Sequence, residues 1–190
     1  MIVDVAKKVI RLKVVYYGPT LSGKTTNLEK LSALSGLKLM KIDTKGDRTL
    51  AFDFSTKTVQ MGGMTASFAL YTVPGQEIYK DIRLTVLKGV DGIVFVADSQ
   101  EHRLSENIEF FNLLKEDLPK VGKRYGEVPV VIQYNKMDMP NALPFEVLEE
   151  EINKDRLPSV CASAIRGEGV VETFNLLEGL LLSKLERIIG

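Results

Sequence analysis

The 190-residue sequence predicts an α/β domain: a mostly parallel six-stranded sheet with one antiparallel strand and helices on both faces. Three observations lead there. Strand-type and helix-type stretches alternate along most of the chain, the pattern of parallel strands joined by crossover helices. The run Ile93-Val94-Phe95-Val96-Ala97 is apolar at every position, as in a central strand covered on both faces. A glycine-containing loop, Gly18 to Thr25, stands between a strand-type and a helix-type run.

Taken in order, residues 10–17 form a β-branched and aromatic strand, and residues 24–34 a helix with Leu28, Leu31 and Leu34 on its apolar side. Residues 43–49 are polar and without period. Residues 50–61 and 65–73 read as two strands joined through Gly62-Gly63 in an antiparallel hairpin, because glycine adopts the positive φ such turns need. Pro74-Gly75 breaks the second, and residues 81–88 form a helix before the strand within 90–98. A helix over 104–118 carries Ile108, Phe111, Leu114 and Leu118 on one face. Residues 128–134 form a strand, Pro144 opens a helix reaching Ile152, and 160–164 form a short last strand. A closing helix over 169–188 turns Val170, Phe174, Leu177 and Leu181 inward. With no repeat, linker or low-complexity run, residues 1–190 read as one domain.

Lys plus Arg and Asp plus Glu number 25 each, so the formal net charge is zero. Without a basic stripe or zinc-type cluster, nucleic acid is not an expected partner. Cys161 is the single cysteine, which excludes an internal disulfide, suits a reducing cytoplasm and is expected to be a small buried residue. His102 is the single histidine, so paired-histidine chemistry is excluded; a solvated position near a helix start is expected. No signal-peptide pattern, membrane-length apolar segment, glycine at position 2 or carboxyl-terminal cysteine is present. The expectation is a cytoplasmic protein without an anchor of its own.

Gly18-Pro19-Thr20-Leu21-Ser22-Gly23-Lys24-Thr25 fits the phosphate-loop pattern G-x-x-x-x-G-K-[ST]. Between strand and helix, its backbone N–H groups and the helix dipole converge on one point where a polyphosphate can sit. Lys24 reaches the terminal phosphates and the Thr25 hydroxyl is suited to Mg²⁺. Gly18, Ser22, Gly23, Lys24, Thr25 and Thr26 are the expected phosphate-site residues. Directly after the 128–134 strand comes Asn135-Lys136-Met137-Asp138. A carboxylate there accepts two hydrogen bonds from N1–H and the exocyclic amine of guanine. Adenine supplies neither, and a site built for such bonds rejects the wrong partner by about 10⁴-fold or more. Asp138 is expected to read guanine, Asn135 to tie the base loop to the phosphate loop, and the Lys136 stem to lie across the base. An ATP-dependent phosphotransferase sharing only the phosphate loop is the reading that Asp138 opposes.

With these motifs the chain resembles the Ras-like small GTPases from Leu12 to Leu185, in motif order and spacing. Ala162-Ser163-Ala164 resembles the loop whose backbone amide contacts the guanine carbonyl, which carries Ser163 and Ala164 into the site. Within that superfamily, Asp47-Arg48-Thr49-Leu50, Phe52-Asp53-Phe54, Tyr71-Thr72-Val73-Pro74-Gly75-Gln76 and Phe95-Val96-Ala97-Asp98-Ser99-Gln100 look like the MglA family of bacteria and archaea. The resemblance implies a P-loop NTPase of the Ras-like G-domain fold that binds GTP and GDP with Mg²⁺ and hydrolyses GTP. It implies action in cell polarity and motility, regulation by a roadblock-fold partner, downstream effectors, and a monomer when free. It also implies site roles: Gln76 orients the attacking water, Thr49 ligates Mg²⁺ together with Thr25, and the Gly75 N–H binds the γ-phosphate. Arg48, beside Thr49, is placed to supply a catalytic charge from within the chain. Two departures stand out. Thr72 occupies the place of the usual magnesium-supporting Asp, leaving Asp47 and Asp53 as alternatives, and Thr20 and Leu21 stand where Ras proper has glycine. Thr72 also keeps open a guanine-nucleotide-binding module with negligible hydrolysis.

Overall fold

The computed structural model describes residues 1–35, 41–42, 51–53, 59–61, 63–75 and 79–189. Its spine is five parallel strands in the order β6-β2-β7-β8-β9: β2 Val9–Tyr17, β6 Met64–Thr72, β7 Gly92–Asp98, β8 Val130–Asn135 and β9 Ser159–Cys161. β4 (Ala51–Asp53) joins β6 antiparallel as the sixth strand, and β3 (Lys41–Ile42) extends the sheet beyond it. Two further short strands lie off this path. β1 (Ile2–Asp4) pairs antiparallel with the start of β2, and β5 (Val59–Met61) with the start of β6. The predicted fold class is therefore the observed one.

Among the described residues five α-helices follow the strands: α1 Lys24–Ser35, α2 Lys80–Leu87, α3 Leu104–Lys120, α4 Phe145–Ile152 and α5 Val170–Ile189. Strand alternation sorts side chains into two cores. Leu12, Val14 and Tyr16 of β2, with Val94 and Val96 of β7, pack under α1 and α5. Val15 and Tyr17, with Ile93, Phe95 and Ala97, pack under α2, α3 and α4. Burial on both faces is why β7 reads as an unbroken apolar run.

Some local expectations are corrected. Of the single strand expected over 50–61, the described residues form two segments out of register, Asp53 pairing with Ala69 but Val59 with Ala66, while residues 50 and 54–58 lie outside them. The hairpin itself holds, with Met61 opposite Met64 and Gly63 at φ +81°. Leu34 is 57% exposed. The buried stripe of α1 advances in steps of four, Lys24-Leu28-Ser32 and Asn27-Leu31, so a residue three beyond Leu31 falls off its edge. Cys161 is exposed, because β9 pairs only with β8 among the described residues. The strand expected over 160–164 stops at Cys161, and Ser163 starts a turn closed by its N–H on the Glu168 carbonyl at 3.0 Å. His102 is exposed in a 3₁₀ turn, Glu101–Arg103, just before α3, as expected. No helix among the described residues is long and apolar enough to cross a membrane.

Candidate nucleotide site

The carboxyl ends of β2, β6, β7 and β8 converge at one edge of the sheet, where open α/β sheets take their ligands. The Gly18–Thr25 loop leaves β2 there. Two of its glycines are sterically required. A Cβ on Gly18, at φ +146°, would lie 2.3 Å from the Val96 carbonyl oxygen. On Gly23, at φ +100°, it would lie 2.2 Å from Asn135 Nδ2. Leu21, a non-glycine at φ +61°, is 69% exposed and points away from the loop's interior.

Lys24 opens α1 and is buried, its Nζ donating to the Gly18 and Pro19 carbonyls at 2.9 and 2.5 Å. Burial lowers its pKa to about 7, with the Glu106 carboxylate pulling up and Arg103 pulling down. An anion beside this ammonium restores its charged form, so the group is disposed to take phosphate. Thr25 and Thr26 are half-buried on the first turn of α1, and Ser22 is fully buried with Oγ unpaired. Mg²⁺ is ordinarily held by one or two protein oxygens plus phosphates and waters, a mode that the single Thr25 hydroxyl beside Lys24 fits.

The base loop is locked to the phosphate loop by Asn135. Its Nδ2 donates to the Ser22 carbonyl at 2.7 Å, and its Oδ1 accepts the Ala164 N–H at 2.8 Å. Asn135 thus joins the three loops that the sequence motifs had named separately. Lys136, in the left-handed region at φ +67°, ion-pairs with Asp98 Oδ2 at 2.6 Å. Asp138 Oδ2 lies 3.7 Å from Arg166 Nε, on the same side as the 163–168 turn. Ser163 is buried with Oγ unpaired. Gly75 packs on the phosphate loop so closely that a Cβ there would meet Thr20 N at 2.2 Å. Thr72 is buried at the end of β6. Arg48, Thr49, Gln76 and Asp47 lie outside the described residues, and of Asp53 only the backbone in β4 is described.

Comparison with known proteins decides the family. The model of the ADP-ribosylation factor family matches residues 2–181. The mutual gliding-motility protein MglA of Myxococcus xanthus is 42% identical over 97% of both chains. The chain belongs to the Ras-like small GTPases, and within them to the MglA type. Human ADP-ribosylation factor-like protein 4D is 28% identical over 89% of this chain and 79% of its own. Among solved structures, the Arl6 BBS3 small GTPase of Trypanosoma brucei, with bound nucleotide analogue GppNp, aligns with a TM-score of 0.65 at 25% identity. That alignment covers 92% of this chain and 99% of that one. As a small GTPase of this type, the protein binds guanine nucleotide and belongs to a family that hydrolyses GTP with Mg²⁺.

Two buried networks of this GTPase escaped sequence reading. Under the phosphate loop, Asn27 and Gln133 exchange amide hydrogen bonds at 2.7 and 2.9 Å, and Gln133 Nε2 donates to Thr173 Oγ1 at 2.9 Å. This ties α1, β8 and α5 together directly beneath Gly23, whose carbonyl also accepts from Asn27 Nδ2 at 3.1 Å. Gln133 was a legible signal: a lone amide in an otherwise apolar central strand needs partners. On the other face, Asp117 accepts from Arg83 Nε at 2.7 Å, Tyr17 OH at 3.0 Å and Lys120 Nζ at 3.1 Å. Arg83 is 1% exposed. No local pattern distinguishes that arginine from the surface charges around it.

Proposed function

We propose that the protein is a GTP-driven molecular switch in cell polarity or motility, slow to hydrolyse alone and accelerated by a roadblock-fold partner. The observation that carries this is Asn135 bridging the Ser22 carbonyl and the Ala164 amide, which makes one cradle of the phosphate loop and the two base loops. The 42% identity to a gliding-motility protein supports the biological setting.

In this reading Gly18, Ser22, Gly23, Lys24, Thr25 and Thr26 hold the phosphates, and Asn135, Lys136, Asp138, Ser163 and Ala164 hold the guanine. Thr25 and Thr49 hold Mg²⁺, with Asp47 or Asp53 assisting in place of the carboxylate that Thr72 lacks. Mg²⁺, when bound, neutralises charge on the terminal phosphates. Gly75 senses the γ-phosphate, Gln76 orients the attacking water, and Arg48 brings positive charge to the transferring phosphoryl group. A partner that fixes the loops bearing Arg48, Thr49 and Gln76 raises the rate by positioning, since catalysis here is mostly positioning and charge stabilisation.

Single-turnover phosphate release tests this, with and without a roadblock-fold partner. Wild type is expected to be slow alone and stimulated by a partner stripped of its interface arginines. Arg48→Ala and Gln76→Leu are each expected to lose roughly 10³-fold or more of the stimulated rate. If the stripped partner fails while Arg48→Ala is stimulated normally, the arginine comes from the partner. Absence of release under every condition identifies a nucleotide-dependent binding module instead, the reading that Thr72 favours.

A further inference from the structure

We propose that Arg103 is a positioning residue of the nucleotide site, bracing the phosphate loop from outside so that its amides face the ligand. This rests on reading the Gly18–Thr25 loop as a phosphate site. Arg103 ends the 3₁₀ turn after β7, far from the loop in sequence and outside every motif. Its Nη2 donates to the Thr20 carbonyl at 2.6 Å, and its Nη1 pairs with Glu106 at 2.6 Å. Nε lies 3.8 Å from Asp98 Oδ2, the atom on which Lys136 of the base loop rests. Asp98 is itself 1% exposed and held by Gln100, whose backbone N–H and Nε2 donate to Oδ1 at 3.2 and 3.1 Å.

Peptide planarity makes this contact directional. In a trans peptide the C=O and the following N–H point opposite ways, and no cis bond occurs among the described residues. Holding the Thr20 carbonyl outward therefore aims the Leu21 N–H inward. Asn135 does the same two residues on: it holds the Ser22 carbonyl and so aims the Gly23 N–H. Two braced carbonyls give two inward amides, the concave arrangement that binds anions. The brace is needed at Thr20 because Leu21 sits in the left-handed region, which side chains other than glycine disfavour. Thr20 is also where Gly75 packs against the loop, so the same contact sets the wall that Gly75 approaches. The Asp98 carboxylate joins this brace to Lys136, linking phosphate and base loops by a second route independent of Asn135.

The test uses Arg103→Ala and Arg103→Lys in the full chain. Amide ¹⁵N order parameters are measured without nucleotide, and dissociation constants with fluorescent GDP. In Arg103→Ala, loss of a charge-assisted bond is expected to weaken GDP by roughly tenfold to a hundredfold. The Leu21 amide is expected to fall below about 0.6 while β2 and β8 keep their rigidity. Guanine preference over adenine is retained, because Asp138 is untouched. Lysine restores only part of the affinity, since one ammonium does not reproduce the fork between Thr20 and Glu106. GDP affinity indistinguishable from wild type overturns the proposal, as does loosening spread evenly through the sheet. Failure of wild type to bind guanine nucleotide sinks the reading of the site; the order parameters then still decide whether Arg103 braces the loop.

Discussion

In the proposed function Asp138 reads guanine and Lys24 holds phosphate, and each assignment gives a prediction at the scale of one side chain. Replacing Asp138 by Asn swaps an acceptor for a donor opposite the guanine amine. GTP affinity is expected to fall by about 10³-fold or more, and xanthosine triphosphate, which presents an oxygen there, to bind better than GTP. Competition binding measures both; unchanged GTP affinity removes Asp138 from the base site. For Lys24, the lowered pKa fixes the sign of a pH effect. Phosphate favours the ammonium, so binding above pH 7 takes up a proton, and affinity falls as pH rises from about 7 toward the ordinary 10.5. The same shift acts on folding. Over that window the unfolded chain holds more protons than the native one, so the stability contribution of this group rises with pH. Calorimetry at pH 8 in buffers of different ionisation enthalpy is expected to show the uptake; identical heats contradict it.

At the scale of elements, α2 follows Gly75 and is anchored to α3 by Arg83 on Asp117. The pair is buried from water, and Asp117 also takes Tyr17 OH and Lys120. Removing the guanidinium leaves this buried carboxylate only the half-exposed Lys120 and the Tyr17 hydroxyl, so Arg83→Ala is expected to lose about 3 kcal/mol in urea unfolding. Arg83→Met combined with Asp117→Leu is expected to lose less, since no charge is then left unpaired. A loss under about 0.5 kcal/mol for Arg83→Ala, typical of surface positions, contradicts the anchoring. Elements also show what sequence could not convey. The phosphate and base motifs were legible because each is contiguous and its spacing is fixed by a strand end. The Asn135 link between them was legible with the motif, and it is observed on the Ser22 carbonyl, but the other links were not. Arg103 reaches Thr20 across 83 positions and Asn27 meets Gln133 across 106, separations that only the completed sheet closes. Strand ends failed for local reasons: Pro129 lacks a ladder donor, so β8 begins at Val130 instead of residue 128.

For the whole molecule, the order of strands places four loops at one edge, the edge proposed to hold guanine nucleotide. The parallel spine was readable because its central strands are buried on both faces and leave unbroken apolar runs in the chain. The short strands β1 and β3 were not, since two or three residues give no period to detect. The most direct measurement is the identity and amount of nucleotide released when protein purified from cells is denatured. GDP or GTP is expected at close to one per chain from wild type, and little from Lys24→Ala, whose proposed phosphate contact is gone. Release of adenine nucleotide, or of none from a wild type that also fails to bind added GDP with Mg²⁺, would contradict the proposal.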